Sequence, residues 1–480
     1  MTDISSEVSI QKEENLTDLE DDMSVDEYSQ DEKNEQDSQQ SDGGLLHSLK
    51  LILSTKNYGV YLITSWIFGS IAYFQAYLNL YLRALGWDFI VMGAVLSILA
   101  VFASVMRLLG GHVGDVTNRK NLSVVAMVLI AVFYLIIGLF VDPIMIIVGL
   151  IVYQSHEIAR SGSSAYILEN TPKKHSGLAM SLFNVGKVFG IVTLAIFGSL
   201  VTIFGFTEAF RFIYLVASFI LFFCSLARAK YLEYDEQTTN SFQDKWSLKR
   251  FLLENKRAAK LLLASVPGLL TVVIIDGISD SFFKFGALIY ANEVLAIDIS
   301  GINMILLVYS MLSVPLLLKI GRLSDKSGTR RAALIVYLLM PVSAVLLILA
   351  PIIAFWGPQT WVLTANGIYP GLGVIFSTAF IAIVMKYLND TLWYMVLLTL
   401  IQKSLPTKDT AKILSIFWFT VYICSSIGPL IAGAIFEYLS PAFLFGIMLA
   451  LNIIILVSIK TGPFAKNTSS ADGNQKDVVE

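Results

Sequence analysis

Two cysteines in 480 residues, Cys224 and Cys424, each lie inside an apolar run, so neither a disulfide framework nor a zinc-ligand spacing is available. Charge is also scarce: 15% of residues are Asp, Glu, Lys or Arg, against 55% hydrophobic and a mean hydropathy of +0.69. A soluble chain of this length cannot hide so much apolar surface in cores split among two or three domains, and the surplus requires lipid. There is no Gly-x-x-x-x-Gly-Lys-Ser/Thr loop, which argues against direct drive by ATP. His156-Glu157 is followed by Arg160 where the zinc-protease helix needs a second His, and Asp276 with Asp280 lacks the Gly-x-Gly-Asp segment of an intramembrane protease. No enzyme activity, cofactor or metal is therefore expected. No basic region precedes a short apolar core at the start, so the first long apolar run, from near Tyr58, is expected to do the targeting.

What charge there is falls unevenly. Residues 1 to 42 hold 15 of the 37 acids and only Lys12 and Lys33 among the bases, so the other 22 acids face 32 bases and the body carries about +10. Residues 1–47 read as a disordered, acidic cytoplasmic tail, too poor in apolar side chains to offset the entropy of ordering. Asn15, Asn121 and Asn467 stand in glycosylation sequons on segments placed in the cytoplasm, where they would stay unmodified.

A bilayer core of about 30 Å takes about 20 apolar residues at helical rise. Twelve such spans can be drawn, giving an all-α polytopic membrane protein with two pseudo-symmetric six-helix bundles. In the first half they are Gly59 to Leu82, Phe89 to Leu109, Leu122 to Val141, Ile144 to Leu168, Gly177 to Val201 and Phe210 to Ala227. In the second they are Leu269 to Tyr290, Ile302 to Ile320, Ala332 to Phe355, Gly373 to Ile401, Ile413 to Ile435 and Ala442 to Ile459. The bundles take residues 57–227 and 261–460, joined by a cytoplasmic linker (228–260) and followed by a polar cytoplasmic tail (461–480). Within the linker, Trp246, Leu248, Phe251, Leu252 and Leu253 mix with Lys249, Arg250, Lys256 and Arg257, the pattern of a helix lying among headgroups. Short loops on one side collect Arg119, Lys120, Lys173, Lys174, Arg322, Lys326, Arg330, Arg331, Lys403 and Lys408. The other side has little beyond Arg83 and Arg211, which puts both termini in the cytoplasm.

The chain repeats itself. After span 2 it reads Gly111-His-Val-Gly-Asp115-Val-Thr-Asn-Arg119-Lys120, and after span 8 Gly321-Arg-Leu-Ser-Asp325-Lys326-Ser-Gly328-Thr-Arg330-Arg331, with the two Asp 210 positions apart. A second echo sets Glu169-Asn-Thr-Pro172 against Lys403-Ser-Leu-Pro406, offset by 234. The 24 extra residues between the echoes are assigned mostly to Trp356–Leu372, read as an enlarged outer loop.

At these loops the chain resembles the major facilitator superfamily, whose hallmark Gly-x-Leu-Ala-Asp-Arg-x-Gly-Arg-Arg stands between spans 2 and 3 and more loosely between spans 8 and 9. The likeness covers roughly residues 57 to 460. Val116 and Asn118 depart from the pattern. The resemblance implies a conformational latch at Gly111, Asp115, Arg119 and Lys120 and at Gly321, Asp325, Lys326, Gly328, Arg330 and Arg331. Gly lets helices approach closely, and Asp can meet a helix N-terminus and nearby bases.

Ionisable groups inside spans cost at least a few kcal/mol on insertion scales and mark function by default. The repeat offset gives their depth: Asp280 falls on Ser70, in the middle of span 1, with Asp276 and Lys284 one turn either side on the same face. Span 4 holds Glu157 and Arg160, able to pair along the helix. Span 10 holds Lys386, Asp390 and Tyr394 at i, i+4 and i+8 with Asn389 beside them, and span 1 adds Gln75 and Asn79. Lys187 lies on span 5. Spans 1, 4, 7 and 10 line the central cavity in the resembling family.

The reading is a secondary active transporter in the cell membrane, monomeric, working by alternating access on a small polar, zwitterionic or anionic solute, with proton coupling. Gln75, Asn79, Glu157, Arg160, Asp276, Asp280, Lys284, Lys386 and Asp390 are its expected substrate and proton cavity. No nucleic acid is expected as a partner. Two alternatives stay open: proton-coupled multidrug efflux, and a non-transporting receptor or scaffold working through the acidic tail.

Overall fold

In the computed structural model, residues 58–159, 186–232, 248–265, 267–327, 329–404 and 410–461 are described. The acidic tail, Arg160, Gly328, both expected latch-side loops after spans 4 and 10, and the C-terminal tail lie outside them. The protein is all-α: helices occupy each of the twelve expected places, and the described residues form no strand beyond an isolated bridge between Phe355 and Ser377. Six described helices, Phe89–Gly110, Arg119–Leu139, Phe206–Tyr231, Arg330–Leu349, Ile416–Tyr438 and Pro441–Thr461, are singly long and apolar enough to cross a membrane.

Several spans, one of these six included, are broken where the sequence dictates. Span 1 runs Tyr58–Ile71, tightens to a 3-10 turn over Ala72–Tyr77 and resumes at Leu78–Ala84. Span 11 halts after Ser425 and restarts at Gly428–Tyr438, because Pro429 has no amide to donate into the preceding turn and suits the first turn of a helix. The outer loop is not a plain loop: Gln359–Ile368 is a helix and Leu372–Phe376 a 3-10 turn, so span 10 starts at Thr378 rather than at Gly373. Gly371, at φ +81°, makes the turn between them and leaves no room for a side chain against the Ser300 backbone.

Span 2 also outruns its expected end. It continues helical to Val116, and span 8 continues to Ser327, so Gly111, Asp115, Gly321, Asp325 and Lys326 ride on helical extensions rather than in loops. Asn118, which departs from the family motif, caps the next helix by accepting from the Lys120 amide at 2.9 Å.

Spans 3 and 6, 3 and 4, 5 and 6, and 1 and 6 pack together in the first half; spans 9 and 10, 9 and 12, 7 and 11, and 7 and 12 pack in the second. Among the described residues, the more extensive contacts between the halves include span 1 with 7, span 2 with 11 and span 5 with 8. Exchanging the halves maps 2–11 onto 8–5 and leaves 1–7 in place, so the seam itself obeys the twofold. Small residues permit it: a Cβ on Gly93 would come within 2.4 Å of the Pro429 carbonyl oxygen, and one on Gly433 within 2.3 Å of the Phe89 carbonyl oxygen. The linker helix, Leu248–Ser265, tucks Ala258 and Leu262 into the second bundle and meets span 7 at 100°.

Candidate functional site

Span 7 turns Asp280 toward span 10, where its two oxygens take different ammonium groups: Lys386 at 2.8 Å and Lys284, one turn along span 7, at 2.5 Å. Lys386 in turn pairs with Asp390 of its own helix. Two acids and two bases thus form one neutral cluster spanning two helices. Lys386 is fully enclosed, and its ammonium also sits 5.0 Å from the centre of the Phe283 ring, whereas the Lys284 side chain is 63% exposed. A buried base between two carboxylates is held because each desolvated charge keeps an opposite partner. The rings of Tyr387 and Tyr309 lie 5.2 Å apart at a tilt of 32° beside the cluster, and Tyr309 shares a hydrogen bond with Thr391.

Asp276 is placed differently. Although on the same face of span 7, it takes hydrogen bonds from Tyr337 of span 9 at 2.8 Å and from the Trp393 indole of span 10 at 2.9 Å, with no base in ion-pair range among the described residues. Tyr337 also lies 3.1 Å from Asn452 Oδ1 of span 12, which accepts from Ser279. Asp276 therefore belongs to the interior of the second bundle.

In the first half, Glu157 is gripped by Arg107 of span 2 through two hydrogen-bonded contacts, at 2.9 and 3.0 Å. The Arg107 guanidinium lies 3.8 Å from the centre of the Tyr422 ring, on span 11 of the other half. Sequence reasoning passed over Arg107. The signal is a lone arginine inside the apolar run Phe89–Leu109, on a span outside the four that line the cavity in the family. Gln75 accepts from Tyr153 at 2.8 Å while its own buried amide nitrogen has no partner. Asn79 crosses the seam, donating to the carbonyls of Lys284 and Phe285 at 3.1 and 3.2 Å. Asn389 points to the Val336 carbonyl within its own bundle. The side chains of Lys187, Asp115, Asp325 and Lys326, and the surroundings of Gly111 and Gly321, are outside what the structure describes. Among the described residues no cluster of His, Cys, Asp and Glu could hold a metal ion.

Each half thus carries one charged cluster in which acids and bases balance, Arg107 with Glu157 in the first and Asp280, Lys284, Lys386 and Asp390 in the second. The family model for the Major Facilitator Superfamily matches residues 155–392. The chain belongs to the major facilitator superfamily. It is a transporter and not an enzyme. No curated protein sequence matches it. Solved structures share its fold: the nucleoside transporter NupG (TM-score 0.57, 13% identity, 86% of this chain and 98% of that one), a D-xylose-proton symporter (0.60, 12%, 87% and 98%) and the human organic anion transporter MFSD10 (0.56, 11%, 86% and 99%). In a superfamily transporter with two six-helix bundles, the clusters on spans 7 and 10 and on spans 2 and 4 lie one on each side of the seam.

Proposed function

We propose that this superfamily member is a secondary active transporter of the cell membrane, with both termini cytoplasmic, that moves a small polar, zwitterionic or anionic solute by alternating access and couples it to protons. The observation that carries the reading is the Asp280–Lys386–Asp390 cluster with the exposed Lys284 beside it. A solute carboxylate or phosphate can take Lys284 while a solute ammonium takes a carboxylate, exchanging ion pairs inside the protein for ion pairs to the solute without stranding a buried charge. Organic anions fit the same base.

Asp276 supports the proton. Tyr337 has one hydroxyl hydrogen and two acceptors in reach, so with Asp276 ionised it donates there, and with Asp276 protonated the acid can donate to Tyr337 and release the tyrosine hydrogen to Asn452. Both protonation states are thereby hydrogen-bonded without moving a helix. The linker helix, basic and amphipathic and lying at 100° to span 7, supports a place among the cytoplasmic headgroups. The latch role of the Asp115 and Asp325 motifs remains the proposal that the family resemblance makes.

The test is a metabolite screen in sealed proteoliposomes with and without a pH gradient. At least one polar or anionic compound is expected to accumulate, Asp280→Asn to abolish its movement, and Asp276→Asn to keep exchange while losing dependence on the gradient. Movement of every compound unchanged in Asp280→Asn would sink the site assignment.

A further inference from the structure

We infer that two pseudo-symmetric grooves on the lipid-facing surface, one between spans 1 and 6 and one between spans 7 and 12, each seat an acyl chain of an anionic phospholipid. The grooves have volumes of about 440 and about 350 Å³. The first is floored by Val60, Ile63, Thr64 and Ile67 of span 1, and the second by Gly268, Thr271, Val272 and Ile275 of span 7, both sets spaced i, i+3, i+4, i+7 and a uniform 208 positions apart. Their other walls agree as well: Phe223, Cys224 and Ala227 of span 6 stand where Ile454, Ile455 and Ser458 of span 12 stand, 231 positions on. A fold built from two copies of one bundle has reproduced the same furrow twice.

Apolar walls decide the body of the occupant. Ile63, Phe223 and Ile454 are each more than half exposed, and they continue the exposed apolar surface that the spans present to lipid. A furrow open along that surface is filled by hydrocarbon, since water would find no partner there.

Charge decides the headgroup. Both grooves end at the linker side of the molecule, and each end is basic. At the first, exposed Lys230 follows directly on from the groove, 5.2 Å from the ring of Tyr231, which lines it. Beneath it the buried Arg228 guanidinium holds the groove residue Thr64 at 2.9 Å and also Ser65 and Ser123. At the second, exposed Lys460 lies two residues past Ser458, and Arg330 donates to the carbonyls of Ile459 and Lys460. Exposed Lys256, Arg257 and Lys260 on the linker helix stand just before Pro267, where that groove begins. A base at the polar end of an apolar furrow fits a negatively charged headgroup above its acyl chain.

The full chain, purified in detergent, is to be examined by native mass spectrometry with added phosphatidylglycerol or with phosphatidylcholine of the same acyl chains. Two phosphatidylglycerol molecules are expected to be retained and phosphatidylcholine more weakly. Ile63→Trp should remove one and Ile454→Trp the other, with unchanged melting temperatures. Lys230→Gln and Lys460→Gln, surface changes that leave the grooves intact, should each weaken phosphatidylglycerol by about fivefold at one site and leave phosphatidylcholine unaffected. Retention of both lipids by the doubly filled variant, or equal retention of the two headgroups, overturns the inference. So does a change in oligomeric mass on filling, which would give the grooves to a second copy of the chain. None of these outcomes depends on the transported solute.

Discussion

Lys386 is the side chain on which the site turns, because among the described residues it alone pairs with both Asp280 and Asp390, and it has no exposed surface. Lys386→Met leaves two carboxylates with only the exposed Lys284 to balance them, and losing one member of a buried ionic set costs about 3–5 kcal/mol. A thermal melt should show that loss, and Lys386→Met combined with Asp390→Asn should regain more than half of it, since removing an acid together with the base restores the charge balance. A double variant no more stable than the single one would mean the three groups are not coupled. At this scale the sequence shows which charged residues lie inside the spans, and says little about their partners on other helices. Charges inside apolar runs stand out whatever the fold, so Asp280, Lys284, Lys386 and Asp390 could be named, and helical spacing set Asp280 against Lys284 and Lys386 against Asp390. The link from Asp280 to Lys386 joins residues 106 positions apart, and only tertiary packing makes it. The Arg107–Glu157 contact is of the same kind, whereas periodicity along span 4 can offer only a neighbour on the same helix, Arg160, which lies outside the described residues.

Helix boundaries show the same division. Hydropathy places the spans well because burial in lipid demands a fixed apolar length, yet it cannot see that span 2 stays helical past its apolar part to Val116, where backbone hydrogen bonding and the Asn118 cap decide. Nor does it see which glycines touch another helix. Gly93 and Gly433 lie where spans 2 and 11 meet backbone to backbone, whereas Gly446 in span 12 has open space at its Cα. Gly93→Ala and Gly433→Ala should each destabilise by about 1–3 kcal/mol through overpacking. Gly446→Ala should be neutral or gain up to about 1 kcal/mol, because alanine is the better helix former and meets nothing. Melting temperatures of the three variants in one detergent check this directly, and equal effects would show that the close crossing is not a tight one.

Over the whole molecule, the two bundles are joined at one end by polar contacts that run across the seam. Arg83 of span 1 binds Glu293 at 2.9 Å and lies 3.8 Å from the centre of the Phe89 ring, whose amide in turn donates to Glu437 of span 11. Deeper in, Tyr77 donates to Asn303 of span 8 at 2.7 Å, and Asn303 donates back to the Leu194 carbonyl of span 5. Asn79 adds its bonds to span 7. These contacts tie spans 1, 2 and 5 to spans 7, 8 and 11, so they must all part if a solute is to enter from that end, which the proposed topology makes the outside. Arg83 and Glu293 are both partly exposed, at 25% and 36% of their side-chain surface, and a partly exposed ion pair is worth about 1 kcal/mol or less, weak enough to break in each cycle. Arg83→Ala should therefore favour the open-outside state by up to about fivefold. The reporter is Ser310→Cys, with Cys224 and Cys424 replaced by Ser, because Ser310 is 1% exposed and bonds Tyr73 behind this closure. Its reaction with a membrane-impermeant maleimide added outside should speed up by that factor in Arg83→Ala. The charge swap, Arg83→Glu with Glu293→Arg, should bring it back toward the parent rate, because the pair is re-formed with its ends exchanged. A general loosening of the fold would accelerate labelling in the swap as much as in the single variant, so the swap separates a gate from damage.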